Sequence, residues 1–272
     1  MPSKICVREC ISRRTSRVLF FFISIFIFFI SVTNTQANVK TIKIGVSHFP
    51  PFFTIEQNHP LSGLGIDLIA AMNDIQTGYR FEIVESSPRR RHAMFKKGLY
   101  DISLFDHLKW GWNPEEVDAT KVFLRGGERY ITAGSPKITQ NFFTDVSSKK
   151  IGAILGYHYR FADFETDPEK LKKRFDINLV TYQEQIIKQV LSHRIQIGVI
   201  TETFLKKYLR ENSEDREKIT ISDTYDQEYN FVGIVRKKAL ISASELEHII
   251  ISVIKSPKYQ WVADQYGIKW QN

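Results

Sequence analysis

Arg89-Arg90-Arg91-His92, Asp106, and the aromatic residues Phe49, Phe52, Trp110, Trp112, Tyr157 and Tyr159 with His158 between the last two are the side chains whose types and spacing suit chemistry. That chemistry is recognition. A guanidinium meets both oxygens of a carboxylate or phosphate with one planar fork, and Arg90 and Arg91 are the candidates to reach a bound anion. The same basic run also reads as the solvated start of a helix. Phe49 and Phe52 flank Pro50-Pro51 on a stiffened loop, offering rings that either stack on a ligand or fill a core. Trp110 and Trp112 bracket Gly111 and form an aromatic wall if they face a cleft. Tyr157-His158-Tyr159 follows Gly156 at a helix start, where free backbone N–H groups favour anions. Asp106 ends a strand, where its carboxylate binds a cationic or hydroxylated group or makes a local hydrogen bond.

Covalent chemistry has no comparable set of residues. The sequence contains no glycine-any-serine-any-glycine elbow, no phosphate loop and no paired-histidine metal helix. His92, His107 and His158 are separated widely, and their spacing requires no shared metal. No catalytic residue, metal or cofactor is expected, although a fold alone does not forbid an enzyme.

These side chains need elements to hold them. Residues 41–46 alternate apolar and polar, the period of a strand, and run into the Phe49 to Phe52 turn. Gly63-Leu64-Gly65 opens a helix whose Leu68, Ile69, Met72 and Ile75 fall on one face. Phe81 and Ile83 mark a second strand, and Ser87 with Pro88 predicts the cap and first position of a helix closed by Gly98. Residues 100–105 make a third strand. A second series follows an irregular stretch at 109–132: strands at 150–155, 178–180 and 195–200, with helices at 168–174, 186–191 and 203–209. Thr181 to Glu184 reads as a capping box, as does Ser244 to Glu247 before a helix bearing Leu246, Ile249, Ile250, Val253 and Ile254. Pro257 ends that helix, and Trp261, Val262 and Tyr266 mark a last short one. Strands alternating with helices predict parallel α/β sheets. The expected division is 38–131 with 229–272 as a first lobe and 132–228 as a second. Two crossings, near 131 and 229, would make a hinged cleft.

The amino terminus sets the expected location. Lys4, Arg8, Arg13, Arg14 and Arg17 precede an apolar run from Val18 to Val32, followed by Thr35-Gln36-Ala37. That order is a secretory signal peptide over residues 1–37, and the run falls short of the roughly 20 residues a bilayer crossing needs. The segment holds five basic residues and one acid, half of the net charge of +8. The remainder is mildly basic, too little to argue for nucleic acid. Both cysteines, Cys6 and Cys10, lie in the leader, so the exported chain has no thiol for a disulfide, a metal or nucleophilic attack. About 235 residues remain, enough for two lobes.

The order of motifs resembles the periplasmic solute-binding proteins of polar amino acid ABC importers, bacterial solute-binding protein family three. The likeness rests on His48-Phe49-Pro50-Pro51-Phe52, Gly63-Leu64-Gly65-Ile66-Asp67-Leu68, Lys97-Gly98-Leu99-Tyr100-Asp101-Ile102, Lys150 to Gly156 and Val235-Arg236-Lys237. It implies a two-lobed periplasmic binding protein fold of type II with two interlobe crossings, closing on a small polar ligand. It also implies a partner at the inner membrane, either a permease or a sensor protein. In the family an arginine after a threonine-proline-glutamate clamps the ligand carboxylate. Here the stretch reads Asn113-Pro114-Glu115-Glu116, with an acid in that place. Asp106 stands where relatives carry a small hydroxyl residue, and Gly198-Val199-Ile200-Thr201-Glu202 lacks a clear match for the aspartate that receives an α-amino group.

Overall fold

The computed structural model describes residues 39–135, 138–266, 268 and 270. The expected signal peptide, with both cysteines, lies outside the described residues. Among them no helix is long and apolar enough to cross a membrane.

Strand β1 (Lys40–Val46) buries Ile42, Ile44 and Val46 while its other side chains face outward until Gly45, as its alternation predicts. It pairs in parallel with β2 (Tyr79–Glu85) and β3 (Ile102–Asp106). Helix α1 (Leu64–Asp74) covers this sheet with Leu64, Leu68 and Met72, all fully buried and four residues apart on one stripe. Full burial of each such side chain contributes about 1.5–3 kcal/mol. Gly63 at the start of α1 has φ 114°, and a Cβ there would lie 2.6 Å from the carbonyl oxygens of Pro51 and Phe52, so only glycine fits. Ile75, expected on the buried stripe, caps the helix instead and is 45% exposed.

After the turns at 88–90, the short helix α2 (Arg91–Lys96) precedes β3, so it begins later than the Ser87-Pro88 signal predicts. Arg90 and Arg91 still donate their backbone N–H to the Ser87 carbonyl, both at 3.0 Å. Strand β4 (Val117–Ala119) adds to the edge.

The second series supplies β6 (Ile151–Ile154), α3 (Pro168–Arg174), β7 (Ile177–Val180), α4 (Gln183–Leu191), β8 (Ile197–Thr201) and α5 (Glu202–Glu211). Strands β6, β7 and β8 are parallel. At the start of α4 the reaching side chain is Gln185, not Glu184: its Oε1 accepts from Tyr182 N at 3.1 Å and Thr181 N at 3.2 Å. The chain returns through α6 (Ala243–Ile254) and α7 (Pro257–Gln265). The cap of α6 is Ser242 with Glu245, two residues before the expected box, because the Glu247 carboxylate is held by Lys121. In α7, Tyr259 and Ala263 are buried whereas Trp261 is 65% exposed.

Two long strands join these series. Strand β5 (Leu124–Ala133) and β9 (Ile219–Arg236) pair antiparallel from Leu124 with Phe231 to Ala133 with Ile219. β9 also pairs antiparallel with β3, and β5 with β8, so the sheet order is β2-β1-β3-β9-β5-β8-β6-β7 with β4 on β9. The sheet is therefore mixed rather than purely parallel: the crossing strands run against both parallel sets. Leu124, Tyr229 and Phe231 sit in the core around α1, and Ile131 and Ile219 in a core around α4 and α5. Thus each strand belongs to both lobes.

Candidate functional site

Between the two cores lies a cavity of about 50 Å³. Its first-lobe wall is set by a kink at the end of β3. The β3–β9 register shifts between Ser103 and Asp106, and Phe105 takes a left-handed φ of 52° while buried against Phe52 and Phe123. Such a conformation costs a bulky residue about 1–3 kcal/mol and persists where packing imposes it. Here it turns the next side chain, Asp106, inward to 1% exposure.

Asp106 accepts from Ser103 Oγ, its neighbour His107 N and Trp112 Nε1, each at 2.8 Å, and forms an ion pair with Arg91. The Arg91 guanidinium also donates to the Trp110 carbonyl at 3.2 Å and lies 5.8 Å and 5.4 Å from the ring centres of Trp110 and Trp112. Placed as the first residue of α2, Arg91 has its charge matched within the wall. Arg90 and Arg89, one and two residues earlier, are exposed.

The second lobe closes the cavity through residues 156–158. Gly156 has φ 85°, and a Cβ on it would come within 2.9 Å of Arg89 Cγ, so the lobes meet with bare backbone. Tyr157 donates from its hydroxyl to the His48 carbonyl at 3.0 Å. The His158 ring is nearly parallel to that of Trp110 at 6.4 Å and lies 5.9 Å from that of His92. Burial, with Arg91 next, pushes the His158 imidazole down to about 3 and that of His92 down to about 4, so both are neutral near pH 7. Gln227, on β9, accepts from Trp110 Nε1 at 3.1 Å and donates to the His158 carbonyl. Gln183 of α4 donates to the Pro50 carbonyl at 3.4 Å while accepting from Thr201 N at 2.9 Å. These bonds hold the lobes together in a closed arrangement.

The cavity brings together Phe49, Arg91, Asp106, Trp110, Tyr157 and His158 from the expected set. Phe52 is fully buried, stacked on Phe105 at 4.5 Å beneath that wall. Trp112 packs edge-on against Phe95 behind the wall and touches the site through its bond to Asp106 and its ring beside the Arg91 guanidinium. Tyr159 is in the second-lobe core, its hydroxyl accepting from Ile154 N at 2.7 Å. Arg90 is exposed and does not line the cavity, and Glu116, at the place of the family's clamp, is exposed too.

Sequence reading passed over Ser103, Glu128 and Tyr229, which also line the cavity. Glu128 follows Gly126-Gly127 on β5 and is 1% exposed, and its carboxylate accepts from Gln227 Nε2 at 2.9 Å and from the Tyr229 side chain. Burial, with the Asp226 charge next, pushes it up to about 8. An acid inside an otherwise strand-like stretch was the available signal. Among the described residues, no cluster of three or more His, Cys, Asp or Glu is placed to hold a metal.

No family model matches the sequence, and no curated protein is matched by it. Solved structures do match. The substrate-binding protein of an ABC uptake transporter from Streptococcus pneumoniae, with bound histidine, is 21% identical over 83% of this chain and 92% of that one, with a TM-score of 0.63. An ancestral arginine-binding protein bound to arginine is 18% identical over 83% and 97%, at 0.61. A histidine kinase sensor domain with similarity to periplasmic binding proteins is 14% identical over 87% and 99%, at 0.65. With a cavity between two α/β lobes joined by β5 and β9, this chain has the two-lobed fold of the periplasmic binding proteins.

Proposed function

We propose that this chain is an exported solute-binding protein that closes on a small polar molecule between its lobes and delivers it to an ABC importer in the inner membrane. The observation that carries the reading is the cavity itself, walled by both lobes and bridged by Tyr157, Gln183 and Gln227. A ligand touching both walls binds the closed state better than the open one and shifts the population toward it. Support comes also from neighbours of the same fold that carry amino acids for uptake transporters. In this reading the leader at 1–37 directs export to the periplasm, the lobes divide as 38–131 with 229–272 and 132–228, and no covalent step takes place.

The test is a thermal-shift screen of the purified protein against amino acids, amines, sugar acids and neutral solutes. A ligand at a hundredfold excess over its dissociation constant stabilises by about 2.7 kcal/mol. Small-angle scattering of the same sample, with a smaller radius of gyration on ligand addition, distinguishes closure from surface binding. A flat screen sinks the reading. The sensing alternative is favoured by the kinase sensor domain among the neighbours. Stimulation of a reconstituted permease ATPase by the loaded protein separates import from signalling.

A further inference from the structure

Two acids line the cavity, and they differ in one respect. Asp106 is matched by Arg91 and three further donors. Glu128 is as deeply buried, yet the groups acting on it are an acid, Asp226, and two neutral donors, Gln227 and Tyr229. Among the described residues no basic side chain forms an ion pair with it. Asp226 offers no relief, since Tyr130, Arg160 N and Phe161 N already occupy its oxygens.

Around the same space stand the rings of Phe49, Phe53, Trp110, Tyr157 and Tyr229. Phe49 meets Tyr157 at 5.5 Å, Trp110 at 6.0 Å and Tyr229 at 6.3 Å, each steeply inclined rather than parallel. These are packed edge-to-face contacts, and the remaining surface of the rings borders the cavity. Aromatic faces attract a cation within about 6 Å of the ring centre, most strongly where water is excluded. A buried carboxylate without a counter-charge is the complementary partner.

We propose that the cleft selects a positively charged ligand lacking a free carboxylate, its ammonium or guanidinium group enclosed by these rings and matched by Glu128. The proposal rests on the cleft being a solute site. A ligand carboxylate has no free cation to meet. Among the described residues Arg91 is the one arginine or lysine lining the cavity, and drawing it away would strand Asp106 uncompensated in the wall. The neutral state of His158 adds no positive charge. In the empty cleft near pH 7, Glu128 holds a proton; a bound cation favours the carboxylate, and the proton leaves to solvent.

Matched pairs test this: agmatine against arginine, putrescine against ornithine, and choline against betaine, each pair differing by a carboxylate. Titration calorimetry of the purified protein is expected to give at least tenfold tighter binding for the first member of one or more pairs. Repeating that titration in two buffers of different ionisation enthalpy is expected to show proton release. Glu128→Gln, folded by circular dichroism, is expected to lose at least tenfold in affinity and to abolish the release; Glu128→Asp, retaining the charge, should recover part of the affinity. Equal or tighter binding of the carboxylated members overturns the proposal, as does undiminished binding by Glu128→Gln or silence from all six compounds. If neutral solutes or anions still protect the protein in the thermal screen, the charge assignment alone has failed. If nothing protects it, the solute-site reading has failed with it.

Discussion

The hydroxyl of Tyr157 donates to the main-chain carbonyl of His48 at 3.0 Å, joining residues 109 apart in sequence and one lobe to the other. The bond spans the cleft, so lobes that separate must break it. Tyr157→Phe keeps the ring against Phe49 and removes that single bond, worth about 0.5–1.5 kcal/mol net. The expected outcome is a threefold to tenfold weaker ligand affinity with an almost unchanged unfolding midpoint. Scattering of the unliganded variant should show a larger radius of gyration than the native protein.

The Arg91–Asp106 pair should behave as a unit. Breaking a buried pair by removing one partner costs about 3–5 kcal/mol, whereas replacing both with apolar residues is often neutral. Arg91→Met and Asp106→Leu singly are expected to lower the urea midpoint sharply, and the double variant to recover most of the loss. Asp106→Leu also strands Ser103 Oγ and Trp112 Nε1, so the recovery should stop short of native stability. Additive losses in the double-mutant cycle would show that the two side chains are not coupled.

Stability should depend on pH from both sides. His92 and His158 have folded values of about 4 and about 3 against an ordinary 6.5, so the unfolded chain binds more protons between those limits. Their contribution is complete above 6.5 and is lost as pH falls toward 4 and 3. Glu128 is raised to about 8 from 4.5, so its contribution is complete below 4.5 and is lost as pH rises through 8. From 4.5 to 6.5 two histidines outweigh one acid, and above 6.5 the acid acts alone. Unfolding free energy by urea titration is therefore expected to peak near pH 6.5. Glu128→Gln should flatten the decline between 6.5 and 8 and, by removing the opposing acid, steepen the rise between 4.5 and 6.5.

Local periodicity was legible wherever one rule decided the outcome. The alternation of β1 and the four-residue spacing of Leu64, Leu68 and Met72 appear in the structure as they read in the chain. Caps were less so. Ser242 with Glu245 and Ser244 with Glu247 are overlapping versions of the same signal, and a contact 126 residues away, from Lys121 to Glu247, chooses between them. The cleft shows the same limit. Neighbouring arginines on one turn are alike as letters, and Arg91 rather than Arg90 faces inward because a bulge in β3 delivers Asp106 to it. Glu128 escaped because register shifts in the β5–β9 pairing at 128–131 interrupt the simple alternation that would have marked it as inward.

Gly156 makes the interlobe contact sensitive to a single methyl. Its φ of 85° disfavours any L side chain, and a Cβ would stand 2.9 Å from Arg89 Cγ and 3.2 Å from Arg89 N and Pro88 Cβ. The Arg89 side chain is exposed and can swing aside, but its backbone nitrogen and the proline ring cannot. Backbone strain acts in open and closed states alike, whereas the clash with residues 88 and 89 acts only when the lobes meet. Gly156→Ala should therefore lower stability by about 1 kcal/mol through the strained φ. It should weaken ligand binding further, through the closed state alone. Pro88→Gly in the same background removes the Cβ at 3.2 Å, relieving part of the clash but none of the strain. Recovery of affinity without recovery of melting temperature would identify the contact between the lobes as the cause; parallel recovery of both would assign the effect to folding.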